Sequence, residues 1–305
     1  MQILKPIVHE TIWGGAKLTP FSGSNCIKIG HLYSAIDTEK FRNEIIYGKD
    51  KGKNLHEWFL ENREKYGLAS YEELPVLMAL VEADDDLSIQ VHPNDEMARK
   101  LENMPFGKNE SFYTLEAPTC GKMYNGCKAE NVEDMKRSIA EGKIRETLDM
   151  MPCAAGDYVY ITGGTLHAAT AGSLHFEIEE NFGKTYRFWD YDRVDQNGNK
   201  RPVQLDQALT CLDVSKKSVS SHYNGDEPIE ERMYSTRLIR GKNEFTNKGD
   251  MFSFAVMFKG EKTYDGVRVL PGTAILLDAG ETLDTGDAEW MIATPKKVSL
   301  LRGRK

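Results

Sequence analysis

Apolar and polar positions alternate with a period of two along many short segments, and glycine punctuates the intervals between them. The segments 87–93 (LSIQVHP), 111–117 (SFYTLEA), 157–163 (DYVYITG), 173–180 (SLHFEIEE), 185–192 (TYRFWDYD) and 251–258 (MFSFAVMF) are alternating or rich in aromatic and β-branched residues, and they predict strands. Helical periodicity is confined to 54–65, with Leu55, Trp58 and Phe59 on one face, to 94–103, to 131–150, which Gly142 divides in two, and to 205–212. Many short strands with few helices predict a sandwich or barrel rather than repeated βαβ units. The polar stretch 215–232 (SKKSVSSHYNGDEPIEER) predicts a connector, so the expected division is a larger domain over 1–214 with helical insertions and a smaller β domain over 215–305.

One spacing occurs twice. GDYVYITGGTLH places Gly156, Thr162, Gly164 and His167 in a frame that resembles the second cupin motif. In that motif a glycine opens a strand, a Pro-x-Gly turn reverses the chain, and a histidine points into the barrel. Thr162 stands in the proline slot, yet the two glycines still permit a tight reversal. GTAILLDAGETL repeats the frame with Gly272, Asp278, Gly280 and Leu283. Leucine in the histidine slot predicts a second unit that kept the hairpin and lacks an imidazole for metal. The expected fold is mainly β, a cupin-type bicupin (double-stranded β-helix or jelly-roll) with one metallated unit and a few short helices.

The 305 residues, 40% of them hydrophobic, suffice for one large core or two modest ones. A net charge of -8 argues against nucleic acid or an anionic membrane as partner, since both require a basic field. No run of 18 or more apolar residues occurs and the amino terminus lacks a secretory layout, so a cytoplasmic location is the expectation. The five cysteines are scattered without a CxxC, which predicts neither a disulfide framework nor a cysteine zinc ribbon.

Residues two apart on a strand face the same side, so Gln90 and His92 in SIQVHPND present an amide oxygen and an imidazole to one surface. His167 would add a second imidazole, and a carboxylate such as Glu110 would complete an oxygen and nitrogen site suited to zinc or another borderline divalent ion. Glu96, four after His92, competes as the carboxylate, although its place in NDEMARK suits a first-turn helix acid. His175, Glu177 and Glu179 share one strand face and form a rival edge; Glu177 is expected in the pocket and His175 in a structural or peripheral place.

LSIQVHPND, GKNESFY, GGTLHA and TYRFWDYDR occur in this order, preceded by IWGG at 12–15 and ELPVLMALVEADDDLS, and the set resembles bacterial type I mannose-6-phosphate isomerases. The resemblance covers 5–206 with specific motifs. It implies one zinc ion on Gln90, His92, Glu110 and His167, with Arg187 as the active-site arginine and Lys108 near the metal for phosphate contact or proton transfer. It further implies a phosphorylated hexose as substrate, with mannose 6-phosphate and fructose 6-phosphate interconverting through a cis-enediol. Lys184 and Arg193 are further local cations; the bland reading of Arg187 and Arg193 is pairing with Asp190 or Asp192.

Two places depart from the family pattern. Ala79 stands where the family usually carries a lysine, and Gly30 is followed by His31, Leu32 and Tyr33 where a Gly-Glu and a tryptophan segment are usual. His31 is a candidate replacement acid or base. The rival expectations are a non-catalytic sugar or sugar-phosphate binding cupin, an isomerase of a different sugar, and, more distantly, an iron oxygenase using His92, His167 and Glu110. A monomer or a homodimer is expected.

Overall fold

A computed structural model of the chain describes residues 1–298 apart from 183, 195–196, 226 and 242–243. The chain forms two compact units, one of Met1–Glu10, Ala16–Leu80 and Asn224–Lys305, the other of Thr11–Gly15 and Val81–Tyr223. The last of the passages between the two units follows Tyr223. The amino-terminal residues, however, join the carboxyl-terminal unit, which a single cut between 214 and 215 does not describe. The physical reason is strand pairing: Gln2–Leu4 lies antiparallel to Ala274–Leu277 and links it to Ile45–Tyr47.

In the first unit the sheet runs Ile229–Glu230, Tyr234–Ile239, Glu289–Pro295, Ser253–Lys259, Ala274–Leu277, Gln2–Leu4 and Ile45–Tyr47. Its core gathers Ile3, Ile239, Met257, Ile275, Leu283 and Trp290. Leu283, the residue in the repeated histidine slot, is fully buried there, and Gly272 and Gly280 supply the left-handed backbone its frame needs. Helix Leu55–Asn62 starts at Asn54, whose side chain and that of Glu57 form a reciprocal capping box. Such a cap stabilises a helix by about 1 kcal/mol.

Within the second unit, Ser220–His222, Asp157–Ile161, Glu110–Glu116 and Ser173–Glu180 run side by side. A further sheet orders Tyr186–Trp189, Ile89–Val91, His167–Ala168, Lys122–Cys127 and Leu148–Pro152. Helix Asp95–Glu102 is capped by Asn94 and ended by Asn103 at φ 55°. The expected break at Gly142 separates Val132–Ala140 from Ile144–Thr147, but 148–150 belong to a strand and not to the helix. Among the described residues no helix is long and apolar enough to cross a membrane, and all five cysteines are free thiols.

Three motif segments lock together beside the metal-ligand candidates. The Lys108 amide donates to the Pro93 carbonyl (3.0 Å) and the Gly164 amide to the His92 carbonyl (2.8 Å). Gly163 donates to the Asn109 side chain at 2.8 Å. A Cβ on Gly163 would stand 2.5 Å from the Pro93 oxygen, and one on Gly107 would also collide with that carbonyl. The glycines of GKNE and TGG are therefore required by backbone approach to the HPND turn, which explains why these motifs occur together.

Candidate metal centre

The lock delivers three side chains to one point. His92 follows strand Ile89–Val91, Glu110 opens Glu110–Glu116 and His167 opens His167–Ala168. All three are about fully buried, and their ligand atoms lie within 4.8 Å of one another. His92 Nε2 is 2.8 Å from Glu110 Oε2, and His167 Nε2 is 2.9 Å from Glu110 Oε1. Gln90 and Arg187 are direct cross-strand neighbours, and Gln90 is likewise paired with His167.

The hydrogen bonds on the far side of each ring set the tautomers. His92 Nδ1 contacts the Lys184 carbonyl at 3.2 Å, and His167 Nδ1 contacts the Thr165 carbonyl at 2.9 Å. A carbonyl oxygen only accepts, so each Nδ1 carries the proton and each Nε2 presents a lone pair. Those lone pairs face the Glu110 carboxylate, itself only an acceptor when ionised. Consistent with this, His92 Nε2 and Glu110 Oε1 lack hydrogen-bond partners despite their short approach. Burial, reinforced by the Lys108 charge, pushes the His92 imidazole down toward its neutral form. Burial opposes ionisation of Glu110 and the Lys108 ammonium favours it; the two rings lower its carboxyl only in their charged forms.

A cation matches acceptors converging at such distances, and the donor set of two imidazoles and a carboxylate fits a borderline divalent metal. Gln90 is the residue that could add a fourth position: its amide approaches His167 Nε2 at 3.4 Å, and rotating the amide by half a turn presents oxygen instead of nitrogen. The residues present therefore fit a metal.

Around this cluster the remaining sequence-read residues separate clearly. Lys108 Nζ is 2.6 Å from Glu179 and 3.5 Å from Glu110. Burial works against its charge, yet Glu179, Glu110 and Glu177 raise its pKa. The rival edge of His175, Glu177 and Glu179 does not gather as such; Glu177 and Glu179 instead group with Glu110, and that group is already supplied with an ammonium. Glu177 is buried with Oε2 unpartnered, and burial, then Glu179 and Glu110, push its carboxyl well above the usual range.

Arg193 takes the paired alternative, reaching Asp190 at 2.5 Å and Asp85 at 3.2 Å, and Arg201 also binds Asp190. Arg187 does not: the residue is half-buried, and its shielded Nε has no hydrogen-bond partner among the described residues. Its backbone is held by Gln204, which accepts from its amide (3.3 Å) and donates to its carbonyl (3.1 Å). Lys184 is exposed and serves through its carbonyl; Glu96 is an exposed first-turn acid. His31 belongs to the first unit, stacked 5.1 Å from Tyr33 and 5.4 Å from His9, and has no part in this cluster. Ala79 is fully buried on strand Val76–Ala83 and offers no functional group.

His175 is the buried imidazole outside the cluster. It lies 5.2 Å from the Phe112 ring, neither nitrogen has a hydrogen-bond partner among the described residues, and burial pushes its pKa down to about 4. An unfolded chain protonates a histidine near pH ~6.5, so as pH falls from there toward 4 the unfolded state gains protons that the folded state refuses. Stability is full above that window and declines within it, by on the order of 3 kcal/mol from this residue. Urea midpoints at pH 7.5 and 5 are expected to lie closer together in His175→Phe than in the parent chain. An identical pH response in both would rule the effect out.

Sequence reading missed the counterion role of Glu179 and the two carbonyls that set the tautomers. Only the two-residue spacing of Glu177 and Glu179 hinted at the former.

The family model for the catalytic domain of type I phosphomannose isomerase matches residues 1–117. Mannose-6-phosphate isomerase ManA of Bacillus subtilis is 31% identical over 269 residues, covering 88% of this chain and 84% of that protein. The crystal structure of the mannose 6-phosphate isomerase from Bacillus subtilis superposes with a TM-score of 0.77 at 25% identity, covering 97% of this chain and 99% of the other. A zinc-bound mannose 6-phosphate isomerase shares the fold, with a TM-score of 0.69 at 15% identity over 97% of this chain and 99% of its own. The fold is the mainly β, cupin-type architecture expected from the strand pattern.

Proposed function

The chain belongs to the type I phosphomannose isomerase family of aldose–ketose isomerases, and from that premise we propose that it interconverts mannose 6-phosphate and fructose 6-phosphate using one zinc ion on His92, His167, Glu110 and Gln90. The observation that carries the metal is the convergence of two Nε2 lone pairs on one carboxylate. Zinc is favoured among divalent ions because a solved relative is zinc bound. When bound, such an ion supplies a Lewis acid that polarises the sugar's oxygens and steadies negative charge on them.

The reaction moves a proton between C2 and C1 and another between the two oxygens, through a cis-enediol. Glu177 is the residue to which we assign proton transfer, since its buried Oε2 is unpartnered and lies in the carboxylate group beside Glu110. Lys108 keeps those carboxylates compensated; its charge is already matched by Glu179 and Glu110, so phosphate contact is assigned to Arg187 instead. The Arg187 guanidinium stays protonated through the cycle and can donate to phosphate or to a developing oxyanion. Ala79 contributes no proton, and His31 is given no step.

The Glu177→Gln variant is expected to keep its metal and lose kcat by about 10²- to 10⁴-fold. Unchanged kcat would remove Glu177 from the mechanism. A second reading, a sugar-phosphate binding protein without turnover or an isomerase of another sugar, is favoured by Ala79 alone; binding of mannose 6-phosphate by the parent chain without product would support it.

A further inference from the structure

The first unit contains a cavity of about 430 Å³ lined by none of the metal-cluster residues. Strands Tyr234–Ile239 and Glu289–Pro295 form one wall, with Ser235 opposite Thr294, Arg237 opposite Ile292 and Ile239 opposite Trp290. Alternate residues share a sheet face, so this face passes from the apolar core at Ile239, Ile292 and Trp290 to a polar end at Ser235, Arg237 and Thr294. Leu283 fills the core where the repeated motif would place a metal-binding histidine, yet the polar end of the face remains lined as a cavity.

Arg237 is the informative residue. Its Nε is shielded from solvent and has no hydrogen-bond partner, and no carboxylate pairs with the guanidinium among the described residues. Leaving such a donor unsatisfied costs roughly 1–3 kcal/mol, and Arg237 also lines the cavity, where an acceptor from outside the chain can meet its guanidinium. Phe245, Thr246 and Lys248 line the same cavity, and the exposed Lys248 also has no carboxylate partner among the described residues. Glu244 is the one acid among the described lining residues, which leaves the cavity net positive in a chain of charge -8. Thr246 and Thr294 each share one hydroxyl bond, with Thr282 and Ser253, and retain capacity for another.

We propose that this cavity is a second binding site, for a small phosphorylated polyol. The phosphate dianion sits between Arg237 and Lys248, the hydroxyls of Ser235, Thr246 and Thr294 meet the polyol, and Phe245 covers its carbon face. The site does not depend on the isomerase reading, because none of these residues belongs to the metal cluster.

Calorimetric titration of the zinc-loaded full chain with glucitol 6-phosphate, which has no carbonyl to isomerise, tests the site. The parent chain is expected to bind two equivalents. Arg237→Met should weaken one of them by about tenfold or more and Lys248→Met by severalfold, with the other equivalent unchanged. Lys248 is exposed, so its variant reports on binding even if Arg237→Met folds poorly. Two equivalents of unaltered affinity in both variants, or a single equivalent that Arg187→Ala alone removes, would overturn the proposal.

Discussion

Arg187→Ala is expected to leave the metal content of the protein unchanged while lowering kcat by about 10²- to 10³-fold. The two outcomes separate because the side chain stands beside Gln90 in register but is not among the ligand atoms that converge on Glu110. Its neighbours Arg193 and Arg201 are already committed to Asp190, so neither is free to substitute for it. Arg187→Lys should recover little, since an ammonium cannot reproduce the planar donor fork. Loss of metal in the alanine variant would mean that Arg187 supports the cluster and not the substrate. Full activity would remove it from the site.

The second large effect is expected from the imidazoles. Removing a partner that only orients a ligating histidine typically weakens metal binding by about 10- to 100-fold, so deleting the imidazole itself in His92→Ala or His167→Ala should cost at least about 100-fold. Metal binding stabilises the folded state by mass action, so chelation should lower the melting temperature of the parent chain and leave that of either variant nearly unmoved. Zinc affinity within tenfold of the parent in both variants would contradict the ligand assignment.

Much of this site is legible in the sequence because strand geometry is periodic. Gln90 and His92 are two apart, and GDYVYITGGTLH spaces Gly156, Gly164 and His167 as a hairpin requires. The same frame ending in Leu283 predicted a second hairpin without a metal-binding imidazole; Leu283 packs with Trp290 and Ile275. Helix caps were equally visible: Asn54, Asn94 and Asn131 each accept from the backbone amide three residues on.

What escaped was whatever depends on distant chain segments meeting. Strand Val76–Ala83 is buried throughout, so it has no polar alternation to read. The pairing of Gln2–Leu4 with Ala274–Leu277 joins the two ends of the sequence, and no local pattern announces it. Arg187 and Arg193 look alike in TYRFWDYDR; only the structure distinguishes a guanidinium bonded to Asp190 from one whose Nε has no hydrogen-bond partner among the described residues. Glu179 carries no motif of its own, yet its 2.6 Å contact defines the state of Lys108. His31 sits in a sequence departure that invited a catalytic role, whereas its stacking on Tyr33 and His9 gives a packing account of the same residue.

The most direct test of the metal-dependent isomerase account is formation of fructose 6-phosphate from mannose 6-phosphate by the purified chain, measured as isolated, after exhaustive chelation and after zinc is restored. The account predicts turnover that chelation abolishes and zinc recovers. Turnover that persists at full rate in protein shown to be metal-free would contradict it.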